Sequence, residues 1–200
     1  MAKEQLRSPR ARLFVALDIP DRVRSGIEAW GRDALADPAL RRVSVESLHI
    51  TLCFLGDRPE REVGRLAEIL KGVASEAPRI ELLGPVARPS RGRPRLFALE
   101  ADSPRTVVLQ GLLRERLTAE GVLKPESRPF WPHLTVARVR PEGRGSKRPV
   151  RVLAPPGPLP KALKQAFGGV RMTLYRSKLQ PQGAQYTPLA QVELSEDGRQ

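Results

Sequence analysis

Of the 200 residues in this chain, two are histidine, and both begin the same short pattern. His49 opens HITL (49–52) and His133 opens HLTV (133–136). On a β-strand, residues i and i+2 share a face. His49 would then project with Thr51, and His133 with Thr135. Leu48, Ile50 and Leu52 would point the other way, as would Leu134 and Val136. The alternation places both His/Thr pairs outside a core and facing a polar space.

Two opposed imidazoles suit acid–base chemistry. The neutral ring takes a proton from an attacking oxygen, and the charged ring gives one to a leaving oxygen. An unperturbed pKa of about 6.5 allows both forms near neutrality. Threonine hydroxyls can donate to phosphate oxygens, and Arg138, five residues after His133, can complete an anion clamp. Phosphoryl chemistry on a ribose fits this set. Strict alternation puts Arg138 on the face opposite His133, so its participation requires a twist, a strand end or its own reach. The scheme calls for no metal and no cofactor. A zinc site would need carboxylates beside two histidines and one cysteine. No G-x-S-x-G elbow supports a serine nucleophile. Cys53 shares strand parity with His49 and Thr51, although a small thiol of this kind is more often buried in a core.

The elements that must carry these residues can be read from spacing. LFVALDIP (13–20) reads as a first strand, and Val23, Ile27, Trp30 and Ala34 recur at helical spacing. VSVESLHITLCFLG (43–56) reads as one strand. Pro59 opens a second helix with Glu60 and Glu62 in its first turn and a stripe of Val63, Leu66, Leu70 and Val73. Two strands, RIELLGPVARPS and RPRLFALEAD, flank the arginine-rich turn SRGRPR. Ser103 and Pro104 form a cap and first-turn pair for a third helix carrying Leu109, Leu112, Leu113 and Leu117. FWPHLTVARV (130–139) is the next strand. Residues 141–160, rich in Pro, Gly and Arg, read as a long loop, followed by a short helix around KALKQAF. GVRMTLYRSKL and AQYTPLAQVEL close the chain as strands. Mixed order with hairpin-like pairs argues for an α+β domain. Two similar antiparallel lobes with helices outside and a central cleft would explain the repeated motif. The expected limits are a flexible N-terminus over 1–11, one bilobal domain over 12–194 and a tail over 195–200.

Composition narrows the partners. Lys and Arg number 35 against 22 Asp and Glu, a net charge of +13. A chain this basic attracts polyanions, nucleic acid above all. A GC-rich coding sequence would produce the same bias. No apolar run approaches a membrane helix of roughly 20 residues. The N-terminus lacks the apolar stretch of a secretory signal. The lone Cys53 fits a reducing, cytoplasmic setting. A monomer is expected. The basic segments 88–95 and 141–160 would either widen a nucleic-acid surface or remain solvated. Phe54, Phe130 and Trp131 flank the motifs, and Phe54 is the preferred candidate to stack on a nucleobase.

Taken together, these stretches resemble a known family, the RNA 2′,3′-cyclic phosphodiesterases (older name 2′-5′ RNA ligases) of the two-histidine phosphoesterase superfamily. LFVALDIP resembles the family's opening strand, and SLHITLCFLGD its first motif. RPFWPHLTVAR resembles its second motif, and TLYRSKLQPQGAQYTPLAQVEL its closing hairpin. The resemblance implies a two-lobed, metal-free fold acting on RNA with a 2′,3′-cyclic phosphate end, or on small cyclic nucleotides, to give a 2′-phosphomonoester. It implies His49 as proton donor, His133 as proton acceptor, and Thr51, Thr135 and Arg138 as phosphate binders, with 2′-5′ ligation as the reverse reaction. Two symmetric motifs could exchange roles. A non-catalytic module that binds RNA ends, or a related phosphodiesterase with another nucleotide substrate, would use the same residues.

Overall fold

The computed structural model describes residues 9–73, 76–180 and 183–195. Strand β1 (Arg10–Asp18) leads into helix α1 (Asp21–Ala34), and a short β2 (Leu40–Arg42) precedes β3 (His49–Pro59). Helix α2 (Val63–Lys71) follows, then β4 (Arg79–Arg88) and β5 (Leu96–Asp102). Helix α3 (Pro104–Ala119) and β6 (His133–Val139) come next. The chain closes with β7 (Phe167–Gly168), β8 (Arg171–Gln180) and β9 (Gly183–Glu193).

The strands run in the order β7-β4-β5-β6-β3-β1-β8-β9, with β2 also on β6, and every neighbouring pair is antiparallel. One lobe is β7-β4-β5-β6 with β2; the other is β3-β1-β8-β9. They meet at a single registered pair, Ile50 opposite Leu134. This is the expected α+β, two-lobed antiparallel architecture, with one difference: the lobes share a continuous sheet. Ile50 and Leu134 are fully buried, as are Val15, Leu17 and Leu99. Helix stripes join this core through Val23 and Ile27, through Leu66, Ile69 and Leu70, and through Leu109, Leu113 and Leu117. Truncating any one of these leucines to alanine should cost roughly 2–5 kcal/mol.

Several local expectations need correction. Leu112 was expected in the α3 stripe but is exposed. Leu109, Leu113 and Leu117 lie on one line at four-residue steps, and Leu112 falls beside it. The strand expected over 43–56 begins only at His49, because Val45–Ser47 is a 3₁₀ turn. Local hydrogen bonds favour that turn over a strand: Ser47 N–H donates to the Ser44 carbonyl, and Arg24 donates to the carbonyls of Val45 and Glu46. Pro59 ends β3, and a 3₁₀ turn (Glu60–Glu62) separates it from α2. Ser103 caps α3 as expected, accepting from Thr106 N–H while its hydroxyl donates to the Arg79 carbonyl. The short helix near KALKQAF is a 3₁₀ turn over Lys161–Lys164, and Phe167 belongs to β7.

The long loop is held against α1. The Asp37 carboxylate accepts the amides of Leu153 and Ala154, both at 2.8 Å, and Trp30 Nε1–H donates to the Pro158 carbonyl. These amides and that of Ala39 hold the Asp37 carboxyl below the usual carboxylate range. Arg93 of the arginine-rich turn bonds Glu142 in the loop. Arg10 and Ala11, read from sequence as flexible, are paired in β1; residues 1–8 and 196–200 of the expected tails lie outside the described residues. Among the described residues no helix is long and apolar enough to cross a membrane.

Candidate active site

The junction between the lobes builds the site. Because β3 and β6 are antiparallel about Ile50 and Leu134, the two motifs cross: His49 runs toward Thr135, and Thr51 toward His133. All four lie on the face opposite the buried Ile50 and Leu134. The imidazoles are close enough for a charge on His133 to disfavour a charge on His49. His49 Nε2 lies 3.1 Å from Thr51 Oγ1.

Arg138 reaches the same face through a β-bulge. Between β5 and β6 the register runs Ala98–Thr135, then Phe97–Ala137 and Leu96–Arg138, so Val136 is an extra residue. The bulge reverses the alternation. Val136 and Ala137 are both buried, and Arg138 rejoins His133 and Thr135. The first motif does the same. Between β1 and β3, Ala16 pairs Thr51 but Val15 pairs Cys53, so Leu52 is extra. Cys53 is thereby turned into the core, where burial pushes its thiol up to about 11, and it does not line the groove as parity suggested. Phe54 is turned onto the histidine face, opposite Phe14, and is 67% exposed. Phe54 and Arg138 therefore hold corresponding positions, each five residues after its histidine.

The surroundings of the two rings differ. His49 packs against Phe14 (5.1 Å between centroids), Tyr175 (6.0 Å) and the edge of Tyr186 (5.3 Å). Across the ladder lies Asp18, 3% exposed, which accepts from Thr173 Oγ1, Tyr175 OH and Arg171 Nε. Burial lowers the His49 pKa to about 4; Asp18 and the Ser47 carbonyl oppose that shift, while Arg24 and His133 add to it. Burial, followed by the Asp18 charge, pushes the Tyr175 hydroxyl up to about 12. His133 stacks on Trp131 at 3.9 Å and 14°. Its Nδ1 lies 2.8 Å from the Trp131 carbonyl. A carbonyl only accepts, so Nδ1 carries the proton and the lone pair of the neutral ring sits on Nε2. Arg88 lies over the same indole, 4.1 Å from its centroid, and Trp131 Nε1–H donates to Glu100. Burial lowers the His133 pKa, the Trp131 carbonyl opposes this, and Arg88 and Arg138 add to the lowering.

The sequence and the fold have counterparts among known proteins. A family model described as LigT like Phosphoesterase matches residues 17–97, which include the first motif. The Thermus thermophilus protein named RNA 2′,3′-cyclic phosphodiesterase is 32% identical over 201 aligned positions, covering 94% of this chain and 93% of that one. The chain belongs to the LigT-like phosphoesterase family. A solved Thermus thermophilus structure superimposes on this LigT-like phosphoesterase with a TM-score of 0.74 at 30% identity, covering 92% of this chain and 97% of that one. Escherichia coli LigT, solved with 3′-AMP, shares the fold with a TM-score of 0.74 at 24% identity, over 94% and 99% of the respective chains.

Several parts of this candidate site were not legible as functional residues in the sequence. Asp18 is an acid at the end of an apolar strand, and its register opposite His49 depends on β1–β3 pairing. Tyr175 and Tyr186 come from the C-terminal hairpin and enclose His49. Arg88 and Glu100 sit on β4 and β5 and meet at Trp131. Trp131 stood out as an aromatic near the second motif, and Phe130 packs partly into the core.

Proposed function

We propose that the chain hydrolyses 2′,3′-cyclic phosphates on RNA ends to 2′-phosphomonoesters. The observation that carries this reading is the crossing of the two His-x-Thr motifs on one face, with Arg138 returned to that face by the Val136 bulge. The names of the relatives support the same substrate class. His133 is the general base: its Nε2 lone pair takes a proton from water as the water oxygen bonds phosphorus. His49 is the general acid: it gives its proton to O3′ as the P–O3′ bond breaks, leaving phosphate on O2′. Thr51, Thr135 and Arg138 hold the non-bridging oxygens, where negative charge must be stabilised as the bond order changes. Phe54 offers a face for the terminal base.

The lowered pKa of His49 sets a condition on this mechanism. With a pKa lowered by burial to about 4, the ring is neutral at pH 7. An anionic phosphate beside the ring favours its charged form. Substrate binding and protonation of the acid are therefore linked, and binding takes up a proton.

The test is hydrolysis of a 2′,3′-cyclic mononucleotide and a short RNA with a cyclic end, in excess chelator, by wild type, His49→Ala and His133→Ala. Turnover to the 2′-phosphate by wild type and its loss in both variants is the expected result. Wild-type binding of the RNA end without hydrolysis of either substrate would overturn it in favour of a binding module.

A further inference from the structure

Arg138 has a neighbour that the catalytic scheme does not use. On β2, Arg41 is registered directly opposite Arg138. Two like charges in that position repel one another and destabilise the ladder. Among the described residues, neither guanidinium has a carboxylate within ion-pair distance. The same level of the sheet continues outward: Arg138 pairs Leu96, and Leu96 pairs Arg88. Three arginines thus stand in one rank across β2, β6, β5 and β4. Arg88 differs from the other two, being stacked on Trp131 with Glu100 beside it. Arg41 and Arg138 remain uncompensated on adjacent strands, roughly 4.8 Å apart at the backbone.

Arg41 also spans the junction between the lobes. Its guanidinium carbon lies 3.9 Å from where a Cβ on Gly183, the first residue of β9, would sit. The side chain therefore extends from one lobe toward the hairpin that carries Tyr186, whose ring meets His49. An anion held by Arg41 would lie beside the phosphate held by Arg138, along the lobe junction. Consecutive phosphates of one strand of RNA have this arrangement.

We propose that Arg41 binds the phosphate on the 5′ side of the terminal nucleoside and so makes an RNA end a better substrate than a cyclic mononucleoside phosphate. This rests on the cyclic phosphodiesterase reading above. A single-charge ligand would leave one of the paired arginines uncompensated, and a strand with two adjacent phosphates neutralises both. The two sources of a second phosphate, an internucleotide linkage and a 5′-monophosphate, present the same chemistry to Arg41.

The experiment compares kcat/KM of wild type, Arg41→Ala and Arg41→Lys on three substrates. They are a 2′,3′-cyclic nucleoside phosphate, the same compound with a 5′-monophosphate, and a trinucleotide with a cyclic end. Arg41→Ala should reduce kcat/KM on the trinucleotide roughly tenfold more than on the unphosphorylated nucleoside, through KM, since the lost contact is a charge-assisted hydrogen bond. The salt dependence of trinucleotide binding should fall by about 0.7 in log–log slope, the share of one phosphate contact on a single strand. Arg41→Lys should recover part of the loss. The 5′-monophosphate substrate follows the trinucleotide if any second phosphate suffices, and follows the bare nucleoside if the linkage itself is read. An equal loss on all three substrates, or none on the trinucleotide, would overturn the proposal. Direct binding of a trinucleotide ending in a 2′-phosphate separates the two readings. If wild type turns over no substrate, the phosphodiesterase reading fails. Weaker trinucleotide binding by Arg41→Ala than by wild type still supports the second-phosphate contact, and equal binding removes it.

Discussion

The two motifs share a backbone and differ in what surrounds it. HITLCF and HLTVAR show the same succession of burial, with half-buried His and Thr, three buried positions and an exposed sixth residue. Both achieve it with a bulge after the threonine. The sixth residue is Phe54 in one and Arg138 in the other. One histidine is enclosed by Phe14, Tyr175 and Tyr186 with Asp18 opposite. The other lies against Trp131 with Arg88 and Arg138 near. A repeated strand pattern supplies the symmetry; the neighbouring strands supply the chemical difference. The acid and base roles proposed for the two rings need that difference, because two identical environments would favour neither role.

The strongest way to break the comparison is to remove each ring. His49→Ala and His133→Ala should each lower kcat by roughly 10²–10⁴-fold, the span attributed to general acid–base catalysis. Steady-state kinetics at saturating substrate check this, with a single-turnover assay in excess enzyme to isolate the chemical step. Similar losses would mean both rings act in the chemical step; a normal kcat in either variant would assign that ring to structure.

Exchanging the sixth residues tests the next level. Arg138→Ala removes a charged donor to phosphate and should lower kcat/KM by roughly 10- to 100-fold. Phe54→Ala should act mainly on KM, by about tenfold, if it stacks on the base. Steady-state kinetics on purine and pyrimidine substrates separate the two, since a stacking loss varies with the base and a phosphate loss does not.

The surroundings of His49 make a prediction about pH. Asp18 raises the pKa of His49, so Asp18→Asn should lower it further. In the general-acid role proposed for His49 the ring is active when protonated, so the alkaline limb of the kcat profile should move to lower pH. Rescue by Asp18→Glu would mark the charge as the cause. A stability effect accompanies it. The His49 pKa is depressed by folding, so the unfolded chain binds more protons between about pH 6.5 and about 4. Stability should fall as the pH is lowered through that window, by at most on the order of 3 kcal/mol from this group. Denaturant titrations of wild type and His49→Gln at pH 7 and pH 4.5 measure the difference, which should be smaller in the variant.

The smallest effect belongs to Cys53. Its buried, protonated thiol faces the core. Iodoacetamide should leave activity intact, and Cys53→Ala should cost about 1 kcal/mol of stability with kcat unchanged.

The sequence by itself determined the pairing of each histidine with a threonine, because i and i+2 share a face on any strand. It also determined the Leu109, Leu113 and Leu117 line of α3, though not that Leu112 lies outside it, and the Ser103 cap, since both depend on residues within one or two turns. The tertiary structure alone decided which face Cys53, Phe54 and Arg138 occupy. A bulge is a property of a strand and its partner together, so counting along one strand puts Cys53 on the histidine face and Arg138 off it, the reverse of their places in the sheet. Tertiary structure also brought Asp18 opposite His49, closed Tyr175 and Tyr186 over it, and set Arg41 beside Arg138. These neighbours lie far apart in the chain. Only the register of the folded sheet specifies their contact.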